Sequence, residues 1–300
     1  MSQRIHGFSP KIIYINIHEI LRSLSIVEVN CGSNYRDKYM NAILSLSGGL
    51  DSATVLLDLL DKNYNVTCFT FNYGQKHHYE INKAIELVKF INSKGFVVKH
   101  KVLDMSFMKD ILYSSLISGN SEIPEGRYSE SNMRDTVVPN RNKIFSSIIQ
   151  ASALSVFNET KIKTCMAMGV HAGDHALYRD CTLQFREKDY QAFLEGNYDA
   201  ENVVYYTPFI NITKDQLLAK GLEILKRLNI DHKDYYLHTL TSYKPKKING
   251  KIYSDFKSAS SIERIEAFIA NDAIDPIMYF ENENEVSWDI VKEEIIKSRG

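Results

Sequence analysis

The chain has 300 residues, 44% hydrophobic and 24% charged, with a net charge of −1; it can bury a substantial core, and no global basic field advertises nucleic acid or an anionic membrane. The four cysteines, Cys31, Cys68, Cys165 and Cys181, are scattered without a CxxC pair, which argues against a disulfide framework or a zinc knuckle. The first residues lack a signal-peptide layout and no run of about 18 apolar residues occurs, so a cytoplasmic chain without membrane spans is expected.

Residues 1–40 are mixed, with IIYINI the strand-like piece, and read as an N-terminal extension. NAILSLS (41–47) reads as a buried strand. SATVLLDLLDKN (52–63) has Val55, Leu56, Leu59 and Leu60 at helical spacing. NVTCFTFNYG (65–74) is β-branched and aromatic, hence a strand. EINKAIELVKFINSKG (80–95) is an amphipathic helix closed by Gly95, and FVVKHKVLDM (96–105) is a third strand. Residues 106–138 look irregular. NRNKIFSSIIQASALSVFNE (140–159) reads as a helix and KTCMAMGV (163–170) as a strand. Residues 205–300 change character, with helical pieces expected around YKPKKINGK and an acidic tail containing Trp288. Strands alternating with helices imply an α/β fold with a doubly wound parallel sheet. The expected division is 1–40, a nucleotide-binding α/β domain over 41–204, and a mainly helical subdomain over 205–300.

In such sheets ligands bind beyond the carboxyl ends of the strands. Ser47-Gly48-Gly49-Leu50-Asp51-Ser52 occupies one of those ends and leads into a helix. Glycines let backbone N–H groups approach an anion, the helix start adds unpaired N–H groups, and serine hydroxyls add donors. The spacing is neither that of a Walker A loop nor GxGxxG. The bland alternative is a Gly-rich turn whose Asp51 or Ser52 caps the helix.

SGGLDS resembles the signature of the PP-loop ATP pyrophosphatases. Three further stretches are similar to one family within them, the QueC proteins or 7-cyano-7-deazaguanine synthases. NYGQKHHYE (72–80) resembles their [DN]YGQxH, VPNRN (138–142) their VPGRN, and GVHAGDHALYRDC (169–181) their GVHAGDHAIYPDC. YTPFINITKDQLLAKG (206–221) lines up with a fourth segment, and the matches run in order over roughly 41–268.

The resemblance implies a Rossmann-like PP-loop ATPase that uses ATP and Mg²⁺ to activate the carboxylate of 7-carboxy-7-deazaguanine for attack by nitrogen. It implies that Ser47, Gly48, Gly49, Leu50, Asp51, Ser52 and Arg141 bind ATP, with Ser47, Asp51, Arg141 and His77 as catalytic residues. Tyr73, Gln75, His171, Asp174, His175 and Asp180 would form the substrate region. As bare sequence, His171, Asp174, His175 and Asp180 also look like a metal-ligand cluster. Family members are often dimers, so a homodimer is expected, with no nucleic-acid or membrane partner.

The departures are specific. The family carries a four-cysteine zinc site, and alignment on Arg264 and Ala267-Phe268 puts Ser242, Asp255, Ser258 and Ser261 in those positions. Zinc wants thiolate, which a serine hydroxyl does not replace, so no zinc is expected. The glycine of VPGRN is Asn140, a residue that tolerates the left-handed backbone. Arg179 replaces a proline beside the presumed substrate pocket, where it is either a specificity residue or a solvated charge. The lysine run at 244–251 reads as a solvated loop or a docking surface for an acidic partner. These changes leave the acceptor open: ammonia, as in the family's synthases, or an amine of a partner protein, as for QueC-like proteins of antiviral operons. A third reading, from another class, is an inactive nucleotide-binding sensor or scaffold.

Overall fold

A computed structural model describes residues 40–76, 78–126, 131–173, 177–282 and 284–298. Five parallel strands form one sheet in the order β3-β2-β1-β4-β5. These are β1 (Asn41–Ser45), β2 (Asn65–Asn72), β3 (Lys99–Asp104), β4 (Thr164–Met168) and β5 (Val203–Tyr206). The intervening helices are α1 (Leu50–Asp61), α2 (Tyr79–Ser93), α3 (Arg141–Thr160) and α4 (Leu183–Gly196). The chain winds outward from β1 in one direction and then, from β4, in the other. The doubly wound fold is therefore as the sequence indicates.

The strand period of two divides the core between the two faces. Ala42, Leu44, Val66, Cys68, Cys165 and Ala167 pack on one face. Ile43, Phe69, Phe71, Met166 and Met168 pack on the other. The first face is covered by apolar stripes of α1, α2 and a later helix, α5 (Lys214–Arg227), and the second by α3 and α4. Both faces are buried, which is why the strands read as near-continuous apolar runs.

Two elements of the sheet half were not assigned from sequence, α4 and β5. The buried residues of α4 include Arg186 and Asp189 beside Phe193, which hides the apolar period. The stretch 106–138, expected to be irregular, contains two 3₁₀ segments, Ser106–Asp110 and Ser131–Thr136.

The C-terminal part is largely helical: α5, α6 (His232–Tyr236), α7 (Ala259–Ala270) and α8 (Trp288–Lys297). The helical pieces expected around YKPKKINGK are not there. That stretch forms an antiparallel hairpin, β6 (Lys246–Ile248) and β7 (Lys251–Tyr253). Asn249 and Gly250 form its two-residue turn with φ of 49° and 83°, the left-handed pair that matches the strand twist. A second hairpin, β8 (Tyr279–Glu281) and β9 (Asn284–Val286), precedes α8. Among the described residues, no helix is long and apolar enough to cross a membrane.

One buried ion pair ties this part together. Arg264 on α7 is fully buried and donates to both oxygens of Asp275, from Nε at 2.6 Å and from Nη2 at 2.9 Å. Tyr279 donates to the same carboxylate at 2.7 Å. The remaining guanidinium donors reach Thr239 Oγ1 at 2.8 Å and the Tyr236 carbonyl at 3.4 Å. Removing one partner strands the other charge in the core. Asp275→Ala is expected to cost about 3–5 kcal/mol in urea unfolding; a loss below about 1 kcal/mol would show that the pair is not the brace proposed.

Candidate active site

At the carboxyl ends of β1, β2 and β4 lies a cavity of about 200 Å³. This is where the strand order reverses, the position at which open α/β sheets bind ligands. Its lining includes Ser47, Gly49, Asp51 and Ser52 from the β1–α1 loop and Tyr73 and Gln75 beyond β2. Arg141 comes from the start of α3, Lys214 from α5 and Thr241 from the C-terminal part. Phe71, Tyr73, Phe145, Tyr178 and Tyr243 give it an aromatic wall. Within that wall Phe71 and Phe145 stack at 4.1 Å.

The loop turns through Gly48, whose φ is +90°. A Cβ there would come within 2.1 Å of the Glu80 carbonyl oxygen on the first turn of α2. Only glycine satisfies both conditions. Gly49 is extended and precedes α1 without a side-chain cap. The serines bind each other instead: Ser47 and Ser52 hydroxyls lie 3.0 Å apart, and the Gly49 N–H donates to Ser47 Oγ at 3.2 Å. Leu50 contributes backbone, since its side chain is fully buried in the core. Gly169 at the end of β4 packs directly on the start of α1, where a Cβ would meet the Ser52 nitrogen at 2.6 Å.

Arg141 is the first residue of α3. Asn140 before it has φ 58°, the left-handed conformation that the sequence suggested asparagine would keep. Arg141 Nη1 donates to Tyr73 Oη at 3.3 Å, and its guanidinium lies 5.8 Å from the Tyr73 and Tyr178 ring centres. A planar cation thus stands at the cavity wall, flanked by rings, with geometry suited to a phosphate or carboxylate.

Behind the loop is a charged cluster. Lys214 Nζ lies 3.3 Å from Asp51 Oδ2 and 2.8 Å from Glu263 Oε2. His171, fully buried, sets Nε2 at 3.8 Å from each of those carboxylate oxygens. Its Nδ1 accepts from the Gly173 N–H at 3.0 Å, so Nε2 is the nitrogen that carries a proton toward the carboxylates. Asp51 Oδ1 is buried and has no hydrogen-bond partner among the described residues.

The sequence-predicted residues divide accordingly. Ser47, Gly49, Asp51, Ser52, Arg141, Tyr73 and Gln75 line one cavity. Gln75 spends its amide locally: Oε1 accepts from the Tyr73 N–H at 2.9 Å and Nε2 donates to the Phe71 carbonyl at 3.1 Å. It shapes the turn that carries Tyr73. His171 stands behind Asp51. Asp180 accepts from Asn142 Nδ2 at 3.1 Å, so it acts on the cavity through Asn142. His77, Asp174 and His175 lie outside the described residues. Arg179 is exposed.

Sequence reasoning missed Glu80, Lys214, Thr241, Tyr243 and Glu263. Glu80 and Lys214 sit inside the family-like stretches NYGQKHHYE and TKDQLLAKG, which is the signal that could have found them. Burial pushes the Glu80 carboxyl well above the usual carboxylate range; Asp51 adds to the shift and Arg141 opposes it.

The four positions aligned with a zinc site converge. Asp255 Oδ2 accepts from Ser242 Oγ at 2.7 Å and Ser258 Oγ at 2.9 Å, and Ser261 Oγ lies at 3.2 Å. The N–H groups of Lys257 and Ser258 donate to Oδ1 at 2.8 and 2.6 Å. These residues do not fit zinc: three hydroxyls and one carboxylate replace four thiolates, and the carboxylate's lone pairs are engaged by hydrogen bonds.

With this geometry in view, the comparisons with known proteins are specific. Residues 41–269 match the family model of queuosine biosynthesis protein QueC. Chain identity to the 7-cyano-7-deazaguanine synthase of Hahella chejuensis is 36%, over 79% of this chain and 92% of the relative. It is 35% to that of Methanoregula boonei, over 80% and 99%, and 37% to synthase 1 of Colwellia psychrerythraea, over 79% and 97%. The chain belongs to the QueC family.

Three outcomes test this geometry. Because the folded chain holds the Glu80 proton above the usual value of 4.5 and the unfolded chain releases it there, Glu80 costs stability as pH rises past that value. Glu80→Gln is expected to melt higher than the unmodified chain near pH 8 and equally near pH ~4; equal melting at both would show that the carboxyl is not strained by burial. Asp255→Ala removes the acceptor shared by the hydroxyls of Ser242, Ser258 and Ser261 and the N–H groups of Lys244, Lys257 and Ser258 and is expected to cost about 3 kcal/mol, lowering Tm by roughly 6–12 °C. A chelator is expected to leave the unmodified Tm unchanged; a chelator-induced drop would overturn the metal-free reading of these four positions.

Proposed function

We propose that this QueC-family chain uses ATP to activate the carboxylate of a 7-carboxy-7-deazaguanine-like substrate and couples the acyl group to a nitrogen nucleophile. The supporting observation is a single cavity in which a glycine- and serine-rich loop, Arg141 and Lys214 share the lining with a wall of aromatic rings. Anion-binding groups suit a triphosphate, and stacked rings suit a flat heterocycle. The relatives' name supports the deazaguanine part of the reading.

Asp51 fits a cation-bound phosphate, because its buried Oδ1 lacks a partner among the described residues while Oδ2 faces Lys214. Asp51 would hold Mg²⁺ with the ATP phosphates, and the ion would neutralise phosphate charge. The protein's own part is orientation. A carboxylate is a poor electrophile. In the proposed reaction its oxygen attacks the α-phosphorus, the bond from that phosphorus to the bridging oxygen breaks, and pyrophosphate leaves with the electron pair. The nitrogen then attacks the acyl carbon, AMP departs with the C–O electrons, and the nitrogen loses a proton. Arg141 and Lys214 supply fixed positive charge where phosphate charge shifts, and the rings exclude water from the activated acyl group. A second activation would convert amide to nitrile.

Mass spectrometry of a reaction containing the protein, Mg²⁺-ATP and 7-carboxy-7-deazaguanine, with and without ammonium, tests this. AMP with an ammonium-dependent amide or nitrile is expected. AMP or bound adenylate without a small-molecule product would shift the acceptor to an amine of a partner protein, and absence of AMP would favour a binding-only role. Ser47→Ala and Asp51→Asn are each expected to lower AMP release by roughly 100-fold or more; normal turnover by either would overturn the loop assignment.

A further inference from the structure

Thr241 sits where the C-terminal part meets the phosphate loop. Its side chain lines the cavity beside Ser47 and Gly49 and is about one-tenth exposed. Thr241 Oγ1 accepts from the Leu50 N–H at 3.0 Å, the first helical N–H of α1. It also lies 3.5 Å from Arg264 Nη1, a longer contact with a guanidinium held by Asp275. One residue earlier, the Leu240 N–H donates to the Gly48 carbonyl at 2.8 Å. The segment 240–241 therefore grips the loop from both sides of Gly49, and a Cβ on Gly49 would come within 3.5 Å of the Thr241 hydroxyl.

A hydroxyl has two acceptor lone pairs and one proton. Toward Leu50 and Arg264 alike, Thr241 Oγ1 is the acceptor. Two N–H groups converge on its lone pairs, so the proton is turned away from both. Thr241 lines the cavity, so a ligand bound there can offer that proton an acceptor. A guanidinium facing the oxygen also polarises it and strengthens the bond its proton makes.

We propose that Thr241 is a ligand-binding residue of this site: its hydroxyl donates to a phosphate oxygen of the bound nucleotide, with Arg264 as the positioning residue that orients it. This rests on the ATP reading above. It assigns the C-terminal part a direct role in nucleotide binding, in addition to closing the cavity wall.

The test is isothermal titration of the full chain with Mg²⁺ and α,β-methylene ATP, whose α–β bridge cannot be cleaved, and separately with adenosine. Thr241→Val keeps the shape and removes the hydroxyl. It is expected to weaken the nucleotide analogue at least ~10-fold, in line with a lost hydrogen bond to a charged group, and to leave adenosine within about twofold. Thr241→Ser is expected to stay within ~3-fold of the unmodified chain for both ligands, since it keeps donor and acceptors. Should Thr241→Val not fold, Thr241→Cys takes its place, because a thiol keeps the volume and donates poorly. Analogue affinity unchanged in the folded variant, or equal losses for analogue and adenosine, overturns the assignment to Thr241 and leaves the ATP reading standing. No analogue binding by the unmodified chain overturns the ATP reading first, and this one with it.

Discussion

The site depends on how closely two pieces of backbone approach. Gly48 lies against the Glu80 carbonyl with no room for a methyl group, and that contact brings the end of β1 onto the first turn of α2. Everything that lines the cavity is arranged around it. The loop can run through a left-handed turn into α1 because Gly48 has no side chain. Gly169 permits a matching approach from β4. Three strand ends are thereby drawn to one point, and the side chains that follow them, Asp51, Tyr73 and His171, converge without any of them being adjacent in sequence.

That convergence has an electrostatic cost. Asp51, Glu263 and Glu80 are brought into or behind one partly buried space, with Lys214 and Arg141 as the cations described there. Burial disfavours a charged carboxylate, and a neighbouring like charge adds to that cost. Glu80 carries it: burial first, and Asp51 second, hold its carboxyl well above the usual carboxylate range against the pull of Arg141. Lys214 is shared between two carboxylates, so its charge is committed before any ligand arrives. On the proposed reading, Asp51 would hold the cation and Lys214 would face phosphate.

Much of this was legible in the sequence, for identifiable reasons. The loop could be read because glycine and serine carry local conformational meaning, and the strand and helix around it have clear apolar periods. Asn140 could be read because few residues other than glycine accept a left-handed turn, and it has one. Lys214 could be found only through its family-like stretch, and Glu263 not even by that. Each is an ordinary charged residue on a helix, and only the fold brings them to Asp51. Thr241 is similar, since its role comes from a partner N–H at Leu50. The β6–β7 hairpin is a different kind of miss. Asn249-Gly250 is a strong turn signal, and the lysines around it masked a pair of strands only three residues long.

The Asp255 knot holds the cavity wall by hydrogen bonds at the four positions that the resemblance aligns with a zinc site. A metal centre at these positions would tie two segments, that of Ser242 and that of residues 255–261, by bonds that are strong and radial. A carboxylate can hold the same segments if donors surround it, since each oxygen accepts more than one hydrogen bond. Ser242, Ser258 and Ser261 supply hydroxyls, and the chain around Asp255 supplies N–H groups. Ser242 lies between Thr241, which holds the Leu50 N–H, and Tyr243, which lines the cavity and meets Tyr178 at 2.9 Å. The knot therefore fixes two cavity residues through the backbone of one serine. Arg264 follows Ser261 on the same helix and reaches Thr239 and Thr241 from the other side. Segment 239–243 is thus held at both ends by buried charge, which makes it a rigid support for a loop that itself has little side-chain structure to keep it in place.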